Sequence, residues 1–239
     1  MMMEVTGLTL QFGGVRPLDD VSITFASPTC GLIGPNGAGK TSFLNAVSGF
    51  VRPSAGRIVV DGTDISTMSP HRRARWGVRR TFQTEQAIRS LTVADNIGMV
   101  VENATRAGRD RRAAVEQAMA FVGLDVSPRT RVETLGSGDR RLVEIARAIV
   151  GRPKVILLDE PAAGLPDDES RRLGQIIRAI PERTGALVIL IDHDMDLVAA
   201  CCDEVAVLDF GRLLAQGPTQ TVLRERVVVE AYLGTEDVA

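Results

Sequence analysis

Nine consecutive residues have the types and spacing of a loop that binds phosphate. They are Gly34, Pro35, Asn36, Gly37, Ala38, Gly39, Lys40, Thr41 and Ser42. Glycine-rich backbone can curl so that several N–H groups point at one anion. Lys40 can reach the β and γ phosphates of a nucleotide, and Thr41 offers a hydroxyl to Mg²⁺. The segment therefore predicts nucleotide binding, and a glycine-rich turn that spells the pattern by chance is the alternative.

A pair of carboxylates follows an apolar strand later in the chain. Residues 155–158 form a continuous apolar run, typical of a parallel strand covered on both faces, and Asp159 and Glu160 come directly after it. Charges at such a strand end are costly unless they are paired or functional, and α/β sheets bind ligands there. With a phosphate-binding loop in the same chain, the pair predicts that Asp159 organises Mg²⁺ and Glu160 activates water. Ordinary solvation of a strand end is the alternative.

Three further features could take part in binding a ligand. His193 also follows an apolar strand, residues 187–191, so a structural and a catalytic role are equally open to it. Residues 135–139 form a second glycine-rich turn, ahead of an amphipathic helix at residues 140–150, and predict a second anion site. Phe12 stands in the first loop, where its ring either stacks on a purine base or packs into the core.

Hydrophobic spacing predicts the elements that position these residues. Residues 30–33 indicate a buried strand that leads into the phosphate-binding loop, and residues 41–48 a helix that leaves it, with Gly49 as C-cap. Residues 205–215 indicate a hairpin. Short β-like segments predict an antiparallel patch beside the main sheet: residues 5–10, 21–25 and 57–60.

Two charged segments lie between the phosphate-binding loop and the paired carboxylates. Residues 85–134 have helical spacing, and inside them Gly108 with the charged run at residues 109–112 indicates an exposed turn. The run at residues 71–80 fits a solvated basic helix face, with a nucleic-acid patch as the alternative. Its five arginines are Arg72, Arg73, Arg75, Arg79 and Arg80.

The composition excludes several classes of protein. The 239 residues fit one α/β domain with a subdomain, and a net charge of -2 gives no global indication of nucleic-acid binding. Three cysteines, two of them adjacent, do not make a disulfide framework. No apolar stretch is long enough to span a bilayer, and no signal peptide is visible, so membrane association is expected only through a partner.

Five motifs in order give the chain a resemblance to the ATPase subunit of an ABC transporter over nearly its whole length. Residues 34–42 resemble the family's Walker A, and residues 155–160 its Walker B strand. Gln83 matches the Q-loop glutamine, His193 the switch histidine, and residues 163–167 fall at the D-loop. The resemblance implies a RecA-like P-loop NTPase core with an antiparallel β-subdomain and an inserted helical subdomain.

The resemblance also implies a role for each motif. Phe12 would stack on adenine, and Gln83 would join Thr41 and Asp159 in placing Mg²⁺ beside ATP. Glu160 would polarise the attacking water, and His193 would contact the γ-phosphate. We define residues 135–139 as the signature loop, whose Ser137 and Gly138 would contact ATP bound on a second subunit.

One departure from the family pattern lies in the signature loop. The family usually has Leu-Ser-Gly-Gly or Leu-Ser-Tyr-Gly, whereas this chain has Leu-Gly-Ser-Gly, so the serine stands one place late at Ser137. Asp139 replaces the usual glutamine. A displaced hydroxyl and an added negative charge predict a weaker contact with the γ-phosphate. A slowly hydrolysing nucleotide-binding partner in a heterodimer is therefore the alternative to a transport motor.

Finer features resemble the branched-chain amino acid uptake branch of the family. Thr81-Phe82-Gln83 and Asp209-Phe210-Gly211 look more like the larger of its two paired ATPases. Because substrate choice lies in other subunits, the branch suggests the substrate without fixing it. The segments that carry the resemblance are residues 12–14, 80–83, 91–96, 161–165, 192–195 and 230–234.

The resemblance predicts the organisation and partners of the chain. Residues 1–84 and 137–239 would form the nucleotide-binding core, and residues 85–136 the helical subdomain that ends at the signature loop. The expected partners are transmembrane permease subunits, a second ABC ATPase in a homo- or heterodimer and, indirectly, a solute-binding protein, with no nucleic acid. The expected location is peripheral, at the cytoplasmic face of the cell membrane. ABC-type ATPases that act on DNA or ribosomes need a long coiled coil or two cassettes, which this sequence lacks.

Overall fold

The computed structural model describes residues 1–102 and 108–233, and the side chains of residues 1–100 and 111–232. Two sheets and a set of helices build the described part of the chain. The strands are β1 (Met3–Phe12), β2 (Val15–Phe25), β3 (Thr29–Ile33), β4 (Ala55–Val60), β5 (Thr63–Asp64), β6 (Val78–Arg80), β7 (Val155–Asp159), β8 (Leu187–Ile191), β9 (Glu204–Asp209) and β10 (Arg212–Pro218). The helices are α1 (Lys40–Ser48), α2 (Pro70–Trp76), α3 (Val93–Glu102), α4 (Gly108–Val122), α5 (Ser137–Ile149), α6 (Asp167–Thr184), α7 (Met195–Cys201), α8 (Thr219–Val222) and α9 (Arg226–Leu233).

The larger sheet has the strand order β10-β9-β3-β8-β7-β6. All of its neighbouring strands run parallel except β10, which pairs antiparallel with β9. The carboxyl ends of β3, β6, β7 and β8 therefore meet at one edge of the sheet, where α/β proteins bind ligands. The phosphate-binding loop, Gln83, the paired carboxylates and His193 each lie at or just after the carboxyl end of one of these four strands.

The smaller sheet is the predicted antiparallel patch, with strand order β2-β1-β4-β5. It packs on the same face of the larger sheet as α1, and their apolar side chains form one cluster with Leu157 and Ile189. The opposite face presents Ile156 and Val188 to the helices from α3 to α7. Because neighbouring strand residues point to opposite faces, the continuous apolar runs of β7 and β8 fill both clusters.

The connection between β6 and β7 is helical. It contains α3, α4, a 3₁₀ turn at Val132–Thr134 and α5, together with one isolated bridge between Thr92 and Arg131. The exposed turn expected at residues 108–112 is wrong, because α4 begins at Gly108 and its first turn contains that run. The three cysteines are buried free thiols. Among the described helices, none is long and apolar enough to cross a membrane.

The basic run at residues 71–80 is only partly the solvated face that the sequence predicts. Arg72 and Arg75 are exposed, but the Arg73 side chain is 1% exposed. Its guanidinium donates to the carbonyl oxygens of Ala46, Val47, Ser66 and Met68, the first two at the end of α1. Burial lowers the pKa of Arg73. Arg73 therefore supplies a donor to the Val47 carbonyl oxygen at the end of α1 and a second donor to the Ala46 carbonyl oxygen, which also accepts from the Gly49 N–H.

We expect Arg73→Ala to lower the free energy of unfolding by about 3 kcal/mol, because it removes the donor to the carbonyl oxygens of Val47, Ser66 and Met68 and empties the space that the buried side chain fills. Urea denaturation followed by circular dichroism measures this change. Arg72→Ala is the matched control, since it removes an exposed neighbour on the same helix and should change stability by less than about 0.5 kcal/mol. Equal effects of the two substitutions would contradict the capping role of Arg73.

Candidate functional site

The phosphate-binding loop connects β3 to α1 through a backbone that two glycines make possible. Gly34 has φ 147° and Gly39 has φ 105°, both outside the range that other residues adopt readily. A Cβ at Gly34 would lie 2.0 Å from the Leu208 carbonyl oxygen, and one at Gly39 would lie 2.4 Å from the Pro17 carbonyl oxygen. The loop therefore packs against the backbone of β9 and β2, and glycine is required at both contacts.

Lys40 is the first residue of α1, and its ammonium group is held at the start of the loop. Nζ donates to the carbonyl oxygens of Gly34 at 2.6 Å and Pro35 at 2.9 Å. Burial lowers the pKa of Lys40, while the charges of Glu160 and Asp159 oppose that shift. The lysine thus lies within the electrostatic reach of both carboxylates, although they are separated from it by more than a hundred residues of chain.

Glu160 is the centre of a hydrogen-bonded group that brings three predicted residues together. Gln83 Nε2 donates to Glu160 Oε2 at 2.8 Å, and His193 Nε2 lies 3.0 Å from Glu160 Oε1. Glu160 has φ 47°, a strained value for a residue other than glycine, and its N–H donates to the Ile191 carbonyl oxygen at 2.8 Å. This turn directs the carboxylate toward the residues that follow β6 and β8.

Asp159 does not join the group around Glu160. Its Oδ2 accepts a hydrogen bond from Arg80 Nη2 at 2.9 Å, and both side chains are almost fully buried. The sequence placed Arg80 in a solvated basic face, so this contact corrects that prediction. A buried carboxylate needs a counter-charge, and the nearest strand supplies one.

Asp192 ties the segment that carries His193 to the segment that follows β7. Its Oδ1 accepts from the Asp194 N–H at 3.0 Å, and its Oδ2 accepts from the Ala162 N–H at 3.3 Å. Burial raises the pKa of Asp192, while these N–H donors act in the opposite direction. The hydrogen bonds hold the strand end so that His193 stays beside Glu160.

Charged side chains on the buried face of α5 contact the Q-loop, which comprises residues 82–86. Arg141 donates to Glu144 Oε2 at 2.9 Å and to the carbonyl oxygens of Phe82 at 3.2 Å and Gln83 at 3.4 Å. The N–H of Gln86 donates to Glu144 Oε1 at 2.5 Å. The Glu144 side chain has no exposed surface, and burial raises the pKa of Glu144. We call this contact the Q-loop clamp.

Two more arginines of α5 extend the Q-loop clamp. Arg140 Nε donates to both carboxylate oxygens of Glu85, at 2.9 and 3.1 Å, and Arg147 Nη1 donates to the Gln86 carbonyl oxygen at 2.9 Å. Arg140 also donates to the Leu135 carbonyl oxygen in the signature loop at 2.5 Å. Residues 82–86 and the signature loop are therefore fastened to the same helix.

Sequence reasoning missed the Q-loop clamp. The apolar positions Leu142, Ile145, Ala146 and Ile149 are buried, as the amphipathic pattern predicts. Arg141 and Glu144 are buried beside them, although the pattern assigns charged residues to the solvent face. The one available signal was their i,i+3 spacing with opposite charge.

The signature loop lies at the start of α5, on the side that faces α6. Ser137 and Gly138 line a cleft of about 270 Å³ together with Leu165 and Glu169. A Cβ at Gly138 would lie 2.3 Å from Glu169 Oε2, so that carboxylate packs directly on the glycine. These residues are not part of the group around Glu160 in this chain. Their position beside the D-loop is consistent with a contact made to a second subunit.

Most of the remaining predicted residues are exposed or half-buried. Phe12 ends β1 with its side chain 53% exposed, so the core alternative for this ring is wrong. Thr41 is exposed and Ser42 is half-buried in the first turn of α1, and Asn36 and Gly37 are exposed in the loop. Pro35 and Ala38 are buried, and the Ala38 N–H donates to the Pro35 carbonyl oxygen at 3.2 Å.

Comparison with known proteins gives consistent matches. A sequence model described as ABC transporter matches residues 18–163. The chain is 35% identical to the high-affinity branched-chain amino acid transport ATP-binding protein BraF of Pseudomonas aeruginosa, over 98% of both chains. It is 32% identical to the corresponding protein LivG of Escherichia coli K12, again over 98% of both.

Solved structures agree with these matches. The ADP conformation of MJ1267, an ATP-binding cassette of an ABC transporter, superposes with a TM-score of 0.85 at 27% identity, over 98% of both chains. A nucleotide-free ATP-binding cassette from an ABC transporter gives a TM-score of 0.82 at 28% identity, over 97% of this chain and 98% of that one.

We expect Glu144→Ala to release the Q-loop from α5, because it removes the acceptor for the Gln86 N–H and leaves Arg141 buried without its counter-charge. Amide hydrogen exchange of residues 82–86 should rise, and the free energy of unfolding should fall by about 3 kcal/mol. Glu133→Ala is the control, since the Glu133 side chain forms an exposed pair with Arg131. Unchanged exchange at residues 82–86 would refute the Q-loop clamp.

Proposed function

This chain belongs to the ABC transporter family, and we propose that, as its ATP-binding and ATP-hydrolysing subunit, it powers the import of branched-chain amino acids or related small solutes. The observation that carries the enzymatic part is the convergence of Gln83, Glu160 and His193 beside the phosphate-binding loop. The match to BraF and LivG over nearly the full length supports the proposed solute.

The proposed partners follow from membership of the family. A cassette of this kind transmits ATP binding to transmembrane permease subunits, and it pairs with a second ATPase that is either identical or different. A solute-binding protein would act through the permease. The chain would then sit peripherally at the cytoplasmic face of the membrane, with residues 85–136 as a helical subdomain that contacts the permease.

The phosphate-binding loop would hold the triphosphate through its backbone and its lysine. The N–H groups of Gly37, Gly39 and the first turn of α1 provide donors at the positive end of a helix dipole. Lys40 would exchange its two carbonyl contacts for phosphate oxygens, and Ser42 adds a hydroxyl donor. Phe12, exposed at the end of β1, would stack on the adenine ring.

Three oxygen donors near the phosphate-binding loop fit a magnesium ion that would enter the site together with the nucleotide. The Thr41 hydroxyl, the Gln83 amide oxygen and the Asp159 carboxylate are hard oxygen donors with only one negative charge among them. Mg²⁺ is usually bound through one or two protein carboxylates together with substrate phosphates, and it keeps several waters, so Thr41 and Gln83 would act directly or through water. When bound, the ion would neutralise charge that develops between the β and γ phosphates.

Glu160 is the residue that would activate water. Its two oxygens are held by different elements, Gln83 after β6 and His193 after β8, so the carboxylate is fixed in position before the substrate arrives. The carboxylate would accept a proton from the attacking water. His193 would contact the γ-phosphate and stabilise the negative charge that develops on it. Because Gln83 also contacts Arg141 of α5 in the Q-loop clamp, a change in its contact with Glu160 would be transmitted to that helix.

A second subunit would complete the site. The cleft at the signature loop is lined by Leu165 of the D-loop and by no residue of the phosphate-binding loop, so Ser137 and Gly138 would bind ATP held by the partner. Closure of the dimer on ATP would then be converted into motion of the permease by differential binding to two states. The comparisons do not favour a slowly hydrolysing partner over an active ATPase.

We expect Glu160→Gln to keep ATP binding and to lower ATP turnover by at least about 100-fold, because the amide cannot accept a proton from water. The variant should also accumulate an ATP-bound dimer, visible by size-exclusion chromatography. Glu182→Gln, an exposed position on α6, is the control and should hydrolyse ATP as the wild type does. Wild-type turnover by Glu160→Gln would remove Glu160 from this role.

The proposed solute can be tested in cells. Deletion of the gene should abolish high-affinity uptake of radiolabelled leucine, isoleucine and valine, and the wild-type gene should restore it whereas the Glu160→Gln gene should not. Uptake of lysine serves as the control, because its transport should be unaffected. Normal leucine, isoleucine and valine uptake in the deletion strain would show that the motor serves another solute.

A further inference from the structure

Arg80 is the last residue of β6, and its guanidinium group lies against the carboxylate that we assign to Mg²⁺. The Nη2–Oδ2 distance to Asp159 is 2.9 Å, and the two side chains are 6% and 7% exposed. The backbones are fixed by strand pairing, since Arg80 is in register with Leu157 of β7. The contact is therefore a buried ion pair between neighbouring strands.

Other elements hold the guanidinium group in place. Its Nη1 donates to Asn45 Oδ1 at 2.7 Å and to Ser48 Oγ at 3.3 Å, both on α1. The Arg80 Cζ atom lies 4.8 Å from the centre of the Phe82 ring, one residue before the Q-loop glutamine. Arg80 thus connects the helix that begins with Lys40 and Thr41, the end of β7 and the entry to the Q-loop.

Arginine keeps its positive charge at any physiological pH, so the charge beside Asp159 is permanent. A divalent cation that approaches Asp159 must either share its carboxylate with the guanidinium or displace the hydrogen bond to Oδ2. Two cations a few ångströms apart in a buried site repel each other strongly. The protein carboxylate alone is then a poor magnesium ligand.

We propose that Arg80 is a positioning residue that acts as an internal counter-cation for Asp159, so that Mg²⁺ gains this carboxylate only together with the phosphates of a bound nucleotide. The proposal rests on the function proposed above, in which Asp159 serves a nucleotide-bound magnesium ion. Arg80 holds the carboxylate in one orientation and lowers its affinity for free metal. The site would consequently be selective for the magnesium–nucleotide complex.

The test is the magnesium dependence of nucleotide binding, measured with a fluorescent, non-hydrolysable β,γ-imido analogue of ATP and a titration of MgCl₂. In Arg80→Met, which removes the charge at similar side-chain length, the half-saturating Mg²⁺ concentration should fall roughly ten-fold. Binding of the analogue in EDTA should stay at the wild-type level, because the phosphate-binding loop is intact. Arg80→Gln is a second neutral variant that can still hydrogen-bond Asp159, and it should shift in the same direction.

Two controls separate the charge of Arg80 from general effects. Arg80→Lys keeps a positive charge beside Asp159 and should leave the half-saturating Mg²⁺ concentration near the wild-type value. Arg79→Met removes the adjacent arginine of β6, whose Nη1 contacts backbone carbonyls of Ala74 and Val78, and should also leave it unchanged. Thermal unfolding of each variant confirms that a folded protein is being titrated.

An unchanged or higher half-saturating Mg²⁺ concentration in the neutral variants would overturn the proposal. An equal fall in Arg80→Lys or Arg79→Met would overturn it too, because the effect would not depend on charge at this position. If the wild-type protein bound the analogue with no dependence on Mg²⁺, the assignment of Asp159 itself would fail. That outcome is distinct from a failure of the role given to Arg80.

Discussion

Two adjacent carboxylates at the end of one buried strand impose the main constraint on this site. Neither Asp159 nor Glu160 can remain there without compensation, because burial penalises an unpaired charge. The structure resolves the problem differently for each: Asp159 pairs with Arg80, and Glu160 is held by Gln83 and His193. The two neighbouring carboxylates therefore have different partners, a buried guanidinium for Asp159 and an amide and an imidazole for Glu160.

Buried polar groups of the Q-loop also need partners, and α5 provides them. The carbonyl oxygens and N–H groups of the Q-loop have few backbone partners, and α5 supplies them from Arg141, Glu144 and Arg147. A fully buried glutamate is tolerated because Arg141 and the Gln86 N–H satisfy it. A movement of Gln83 toward or away from Glu160 would therefore also displace α5, the helix that carries the signature loop.

Local sequence patterns predicted the individual motifs well, because each depends on residues close together in the chain. The phosphate-binding loop needs its strand, its glycines and its helix within twenty residues, and these are present as expected. Charged residues were the main source of error. Arg73, Arg80, Arg141 and Glu144 look like solvent-exposed residues by periodicity, but each is buried by a partner far away in the sequence.

From the sequence alone it was possible to predict which groups could bind and act on a nucleotide: a lysine in a glycine-rich loop, an acidic pair at the end of an apolar strand, and a histidine after the next one. This was possible because residue type and spacing fix which groups follow which strand. The pairing of these groups could not be predicted in this way, since the order of β3, β8, β7 and β6 in the sheet is not a local property. That order sets Gln83 and His193 on either side of Glu160 and brings Arg80 to Asp159, because parallel neighbours end at the same edge.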